Sequence, residues 1–173
     1  MYCARPCSRR SRGLTLIEIL ITLTIIGILA SLALPSFNNV LDKYRLKAAA
    51  EAFYWDLQYA RSVAIRSNST VYLSADTSCW GMNSVTACTC STASSCLLKQ
   101  TGITAFPNVS MTTSAAATSI DGVRGLASGG AITITFTSTL GKQAQVALSA
   151  LGRAVLCSPN TSVTAYVPDY PAC

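Results

Sequence analysis

The sequence predicts an α+β protein: one long N-terminal helix, apolar all round at first and amphipathic further on, packed on an antiparallel β-sheet head. Three observations carry this expectation. From Leu14 to Leu34 the chain runs 21 residues with Glu18 as its only charge. From Ser36 to Ile65 apolar side chains such as Phe37, Val40, Leu41, Tyr44, Phe53 and Leu57 recur at three- and four-residue steps, the spacing of a helix with one buried face. Beyond Gly129-Gly130 the alternation Ala131-Ile132-Thr133-Ile134-Thr135-Phe136 marks a strand with one face in a core.

At 1.5 Å of rise per residue the apolar run measures roughly 30 Å as a helix, the thickness of a bilayer's hydrocarbon core, so a spanning segment is expected. Arg5, Arg9, Arg10 and Arg12 precede it and keep the N-terminus cytoplasmic. A secretory signal peptide has a shorter apolar region and no acid within it. Glu18 costs roughly 2.5 to 3.5 kcal/mol at a bilayer centre, and less near the interface, so it calls for a partner. Pro35 has no N–H for a helical hydrogen bond, and a kink is expected there.

The hexapeptide Gly13-Leu14-Thr15-Leu16-Ile17-Glu18 resembles the processing site of the type IV prepilin family, a glycine followed by an apolar residue and a glutamate at the fifth mature position. The resemblance implies cleavage by a prepilin peptidase between Gly13 and Leu14, N-methylation of Leu14, and assembly of the helix into a filament core. Glu18 would pair with the N-terminal amine of a neighbouring subunit. The family usually begins its mature chain with phenylalanine, where this chain has Leu14. A type IV pilin fold follows, with a cleaved leader at 1–13, a transmembrane and filament-core helix at 14–35, its amphipathic continuation at 36–68, and a β-rich, disulfide-stapled head at 69–173.

The 173 residues suffice for one compact head once the leader and spanning helix are set aside. Four of the thirteen basic residues lie in the leader, and the remaining nine against seven acids leave +2, which removes any global electrostatic footprint for nucleic acid. On the amphipathic helix Asp42, Lys43, Arg45, Lys47 and Glu51 lie mostly off the apolar face and read as a solvated surface. Ala60-Arg61 through Asn68, followed by Thr70-Val71-Tyr72-Leu73, is similar to the helix-to-strand junction of the GspH/FimT family of minor pilins and pseudopilins. The run from Ala131 to Cys157, with Gly152-Arg153 ahead of Leu156-Cys157, resembles that family's C-terminal half.

Between these stretches, Asp76 to Ser119 is rich in Ser, Thr and Ala and reads as a loop region with short strands at Cys96–Gln100 and Val109–Thr113. Its four cysteines, with Cys157 and Cys173, are an even count in an exported domain and predict disulfides. Cys88 and Cys90 are too close to bridge without strain, so Cys79 joins one of them and Cys96 the other. Cys157 with Cys173 anchors the proline-containing tail, a closure worth about 3 kcal/mol in the chain-entropy model. Cys3 and Cys7 lie in the leader and receive no role.

The chain has no histidine, so Ser-His and Cys-His pairs and imidazole metal sites are excluded. Its acids are scattered singly and no phosphate-cradling glycine motif occurs; an enzyme, a metal and a cofactor are not expected. The resemblance implies a structural minor pilin at or near a filament tip, with other pilin subunits, the prepilin peptidase and the bacterial inner membrane as partners before export to the pilus or cell surface. A type II secretion pseudopilin is the alternative assembly. A second role is DNA capture, which FimT-type members perform through a GRxR motif. Here Gly152-Arg153-Ala154-Val155 keeps one arginine, with Lys142 and Arg124 as further candidate contacts.

The motif makes one direct prediction: protein from its native host begins at Leu14 and carries a single methyl group on that amine. Intact-mass measurement checks it, and cleavage near Ala33 or an unmethylated terminus would contradict it.

Overall fold

The computed structural model describes residues 14–92, 95–159 and 165–173, without the side chains of residues 32–36. The leader, with Gly13, Cys3 and Cys7, lies outside the described residues, as does the Pro35 side chain at which a kink is expected. The chain divides into two compact units, Met1–Asn38 and Asn39–Cys173. Helix α1, Leu16–Ser67, contributes to each.

In the first unit Thr15 starts the helix. Its hydroxyl accepts the Glu18 N–H at 3.3 Å, and its carbonyl accepts the N–H groups of Glu18 and Ile19. Every side chain from Leu16 to Ser31 is exposed. The hydroxyls of Thr22, Thr24 and Ser31 donate to the carbonyls of Ile19, Ile21 and Ile28 at 2.7 to 2.8 Å, so none requires a partner outside the helix. Among the described residues no helix is long and apolar enough to cross a membrane; the described side chains of the apolar run stop at Ser31.

In the second unit α1 buries Leu46, Ala49, Ala50, Phe53, Leu57, Ala60 and Ala64 completely or nearly so. The alanines let the sheets approach the helix axis closely. Asn68 ends α1 with φ +48. Its N–H reaches the Ile65 carbonyl and the Ser69 N–H reaches that of Ala64, which closes the last turn in a Schellman arrangement.

Eight strands follow: β1 Val71–Ala75, β2 Cys79–Asn83, β3 Lys99–Gly102, β4 Val109–Thr113, β5 Ala117–Ile120, β6 Ile132–Ser138, β7 Gln143–Leu148 and β8 Ala154–Cys157. They form two four-stranded antiparallel sheets, in the orders β3-β2-β1-β5 and β4-β6-β7-β8. The helix is joined to both by three rings. Phe53 of α1 lies 5.6 Å from Trp80 of β2 and 6.2 Å from Phe136 of β6, and Trp80 meets Phe136 edge-on at 5.9 Å. The indole N–H donates to Asp56 Oδ2 at 2.8 Å, and Lys99 of β3 pairs with the other oxygen. Asp56 is 3 % exposed, so this pairing keeps its carboxylate from being an orphaned charge.

Two expectations are corrected here. The Asp76–Ser119 stretch is not mainly loop: it supplies β2, β3, β4 and β5, and a second sheet with them. All five residues of β2 are buried, because α1 covers one face while the segment carrying Cys88, Cys90 and Cys96 covers the other; a Cβ on Gly81 would lie 2.3 Å from Cys96 Sγ. A strand buried on both faces has no alternation to read. The strand expected at Cys96–Gln100 is β3, displaced to Lys99–Gly102.

Nor are the α1 charges simply a solvated face. Asp42 is 6 % exposed and accepts the Thr139 hydroxyl at 3.0 Å. Lys43 and Lys47 hold Asp169 at 2.7 and 2.9 Å, and Glu51 accepts the Tyr170 hydroxyl at 2.8 Å. These contacts strap the C-terminal tail onto the helix. The tail also buries Val167, and the Cys173 N–H donates to the Ser158 carbonyl beside the edge of β8.

The strap has an acid and an alkaline limit. Hydrogen bonds from Lys43 and then Lys47 lower the Asp169 carboxyl below its ordinary 3.8, so its contribution is present above that value and is lost as the pH falls below it. Burial first, and the bond to Glu51 second, raise the Tyr170 hydroxyl above its ordinary 10.0; the folded state holds that proton more tightly, and the contribution is lost as the pH rises beyond 10.0. Tail docking followed by hydrogen exchange at Val167 is expected to weaken on both sides of this window. Tyr170→Phe should flatten the alkaline limb, and Asp169→Asn the acid one.

Candidate functional site

Leu14 is exposed, and α1 begins two residues beyond it. Glu18 stands in the first helical turn, where the helix dipole favours an acid. Thr15-Leu16-Ile17-Glu18 has the Thr-x-x-Glu form of a capping box, and the half in which Thr15 accepts from Glu18 N–H is present. That signal is in the sequence and offers Glu18 a second, local reason to be there. Its carboxylate has no hydrogen-bond or ion-pair partner among the described residues.

The structure joins Cys79 to Cys90, Cys88 to Cys96 and Cys157 to Cys173. The first two staples cross over each other in sequence, so the chain around Cys88, Cys90 and Cys96 is held against β2. Asp76, Cys79 and Cys90 place ligand-type atoms within 4.8 Å of one another. The two sulfurs are bonded to each other, however, and the Asp76 carboxylate already accepts from the Ser78 hydroxyl, the Ser78 N–H and the Cys79 N–H. The hydroxyl first, then those N–H groups, hold its pKa below the usual range.

Of the three candidate nucleic-acid contacts, two lie on loops that touch. Lys142 precedes β7 and Arg153 precedes β8, at opposite ends of a six-residue strand about 17 Å long, so they do not converge. The loops of Arg124 and Arg153 do touch. The loop carrying Arg124 turns back through Gly125, at φ +66, and the loop carrying Arg153 turns through Gly152, at φ +73. A Cβ on Gly152 would lie 1.8 Å from the Gly125 carbonyl oxygen, and one on Gly125 2.9 Å from Arg61 Nε, so only glycine allows the two loops and the end of α1 to meet. The two loops that meet there carry Arg124 and Arg153 next to the touching glycines, and the Arg61 side chain reaches Gly125. Arg61 Nε is buried without a hydrogen-bond partner. The acid beside them, Asp121, accepts the Arg124 backbone N–H. In the sequence Arg61 and Arg66 fall in the family-like helix-to-strand junction and not among the candidate contacts, because nothing local marks Arg61 as a neighbour of the β-loops.

A long helix laid on antiparallel sheets behind a methylation-type N-terminus defines a type IV pilin-like protein. Residues 49–152 match the family model described as Type II transport protein GspH, and residues 8–34 match the prokaryotic N-terminal methylation motif. The chain belongs to the GspH family and is minor-pilin-like. Two crystal forms of the Pseudomonas aeruginosa type IV minor pilin FimU share its fold. One is 18% identical, covering 70% of this chain and 95% of that one at a TM-score of 0.53; the other is 16% identical, covering 70% and 100% at 0.52. No curated protein matches the chain.

Proposed function

We propose that the protein is a non-enzymatic minor pilin, cleaved after Gly13, methylated at Leu14, anchored in the inner membrane by its apolar helix, and then assembled into a type IV pilus in a priming or tip position. The observation that carries this reading is the first unit itself, where an apolar helix exposed along its described length begins, within the methylation motif, with a Glu18 that has no partner among the described residues. Such a surface is stable only in lipid or against other helices, and the carboxylate needs a cation there. Glu18→Val is expected to stay in the membrane and fail to enter filaments. Glu18→Gln keeps a residue suited to the capping box while removing the charge, and it should fail as well. Normal incorporation of Glu18→Gln would show that the cap, not the ion pair, matters. Recovery of the wild-type chain in a secretion complex rather than in sheared pili would favour a pseudopilin.

DNA contact is a second reading, favoured by Arg61, Arg124 and Arg153 on the segments that meet at the Gly125–Gly152 corner against one nearby aspartate. If these groups neutralise phosphates, duplex binding by the exported head falls steeply with salt, and Arg153→Ala flattens the log–log slope by about one unit. Weak binding that Arg153→Ala leaves unchanged leaves the structural role standing alone.

A further inference from the structure

The face of the β1–β2 sheet that points away from α1 carries a cleft that the packing of the head does not use. Side chains alternate along β1, so Leu73 and Ala75 join the core against α1 while Ser74 points the other way. In the register Ser74 lies between Gly81 of β2 and Ala117 of β5, so no side chain larger than a methyl flanks it across the sheet. The segment stapled by Cys79–Cys90 and Cys88–Cys96 stands over this floor, and the cleft between them measures about 320 Å³, with Asp76 at one end and Ala87, Thr89 and Ala116 in its walls. Two polar groups in it are unengaged. Ser74 is 6 % exposed and its hydroxyl has no hydrogen-bond partner among the described residues. Asp76 takes its three hydrogen bonds at Oδ1 alone. Its Oδ2 faces the sulfurs of Cys79 and Cys90 at 3.5 Å, and sulfurs bonded to each other have no hydrogen to donate. With its pKa held below the usual range, chiefly by the Ser78 hydroxyl, this carboxylate carries its charge, and no lysine or arginine pairs with it among the described residues.

We infer that this cleft binds an alkylammonium group, with Asp76 Oδ2 accepting its N–H bonds, Ser74 as a second acceptor at the floor, and the alanines lining its carbon stem. Charge selects a cation, because an ionised carboxylate oxygen without a donor is the strongest group in the cleft. The walls select an organic cation. A hard metal ion such as calcium takes roughly six to eight oxygens, while the side chains here offer one free carboxylate oxygen and the hydroxyls of Ser74 and Thr89. Soft metals need thiolates, and both cysteines beside Asp76 are spent in a disulfide. A volume of about 320 Å³ is at the small end of ligand pockets, and methyl walls match a short methylene chain. A free amine and the lysine side chain of a protein partner share this chemistry.

The test uses the full chain in zwitterionic detergent micelles, with n-butylammonium and Nα-acetyl-lysine methylamide as probes and n-butanol as the uncharged control. Each ammonium probe is titrated while the amide resonances of Ala117 and Cys90 are followed by NMR. At least one should shift them saturably, and n-butanol should bind at least about tenfold more weakly. Tighter binding of the lysine analogue assigns the site to a partner's lysine; tighter binding of n-butylammonium assigns it to a free amine. Asp76→Asn keeps a side-chain carbonyl for the Ser78 and Cys79 N–H groups and removes the charge, so affinity should fall at least about tenfold with the disulfides intact. Ala117→Leu leaves Asp76 in place and fills the cleft, and it should abolish the shifts. If Asp76→Asn fails to form its disulfides, Ala117→Leu decides alone. No saturable shift with either probe, equal binding of n-butanol, or wild-type binding by a folded Asp76→Asn or Ala117→Leu overturns the inference.

Discussion

The contact of Phe53 with Trp80 and Phe136, secured by the bond from the indole to Asp56, is what the rest of the head depends on. Each ring comes from a different layer: α1, the sheet around β1 and β2, and the sheet around β6. Removing Trp80 would open a cavity at the junction of all three and also leave a buried carboxylate with Lys99 as its remaining partner. The cavity alone costs about 3 kcal/mol or more, and the lost hydrogen bond to a charged group adds about 1.5 to 3 kcal/mol, together a large fraction of a domain's net stability.

That junction explains why the polar middle of the chain folds at all. Ser-, Thr- and Ala-rich sequence buries too little apolar surface to offset its own ordering. Here it is held by a buried strand, β2, whose Trp80 packs towards α1, and by two disulfides on the other face of that strand. The staples limit the freedom of the unfolded segment where its side chains contribute little. The tail repeats the device on the second sheet, with Cys157–Cys173 beside β8 and an ionic strap onto α1.

Much of this was legible in advance, for physical reasons that differ by element. Helix α1 in the second unit declares itself through three- and four-residue steps, and β6 and β7 through alternation with one buried face. Strand β2 was hidden because both of its faces are covered, so Cys79-Trp80-Gly81-Met82-Asn83 shows no period. Asp42, Lys43, Lys47 and Glu51 looked like surface because the groups that meet them, Thr139, Asp169 and Tyr170, lie roughly 100 residues or more further along the chain. The arginine corner was half visible: Gly152-Arg153 reads as a turn, but the meeting of Arg61 with the Arg124 loop depends on how two glycine turns pack.

Helix α1 in the second unit therefore has two opposite faces, and the two obey different rules. Its inner face is selected for close approach, with Ala49, Ala50, Ala60 and Ala64 letting both sheets reach the backbone around Phe53. Its outer face is not the charged surface that solubility alone would produce. Outward rings such as those of Tyr44, Trp55 and Tyr59 add nothing to the core, and they raise the risk of association in a free head.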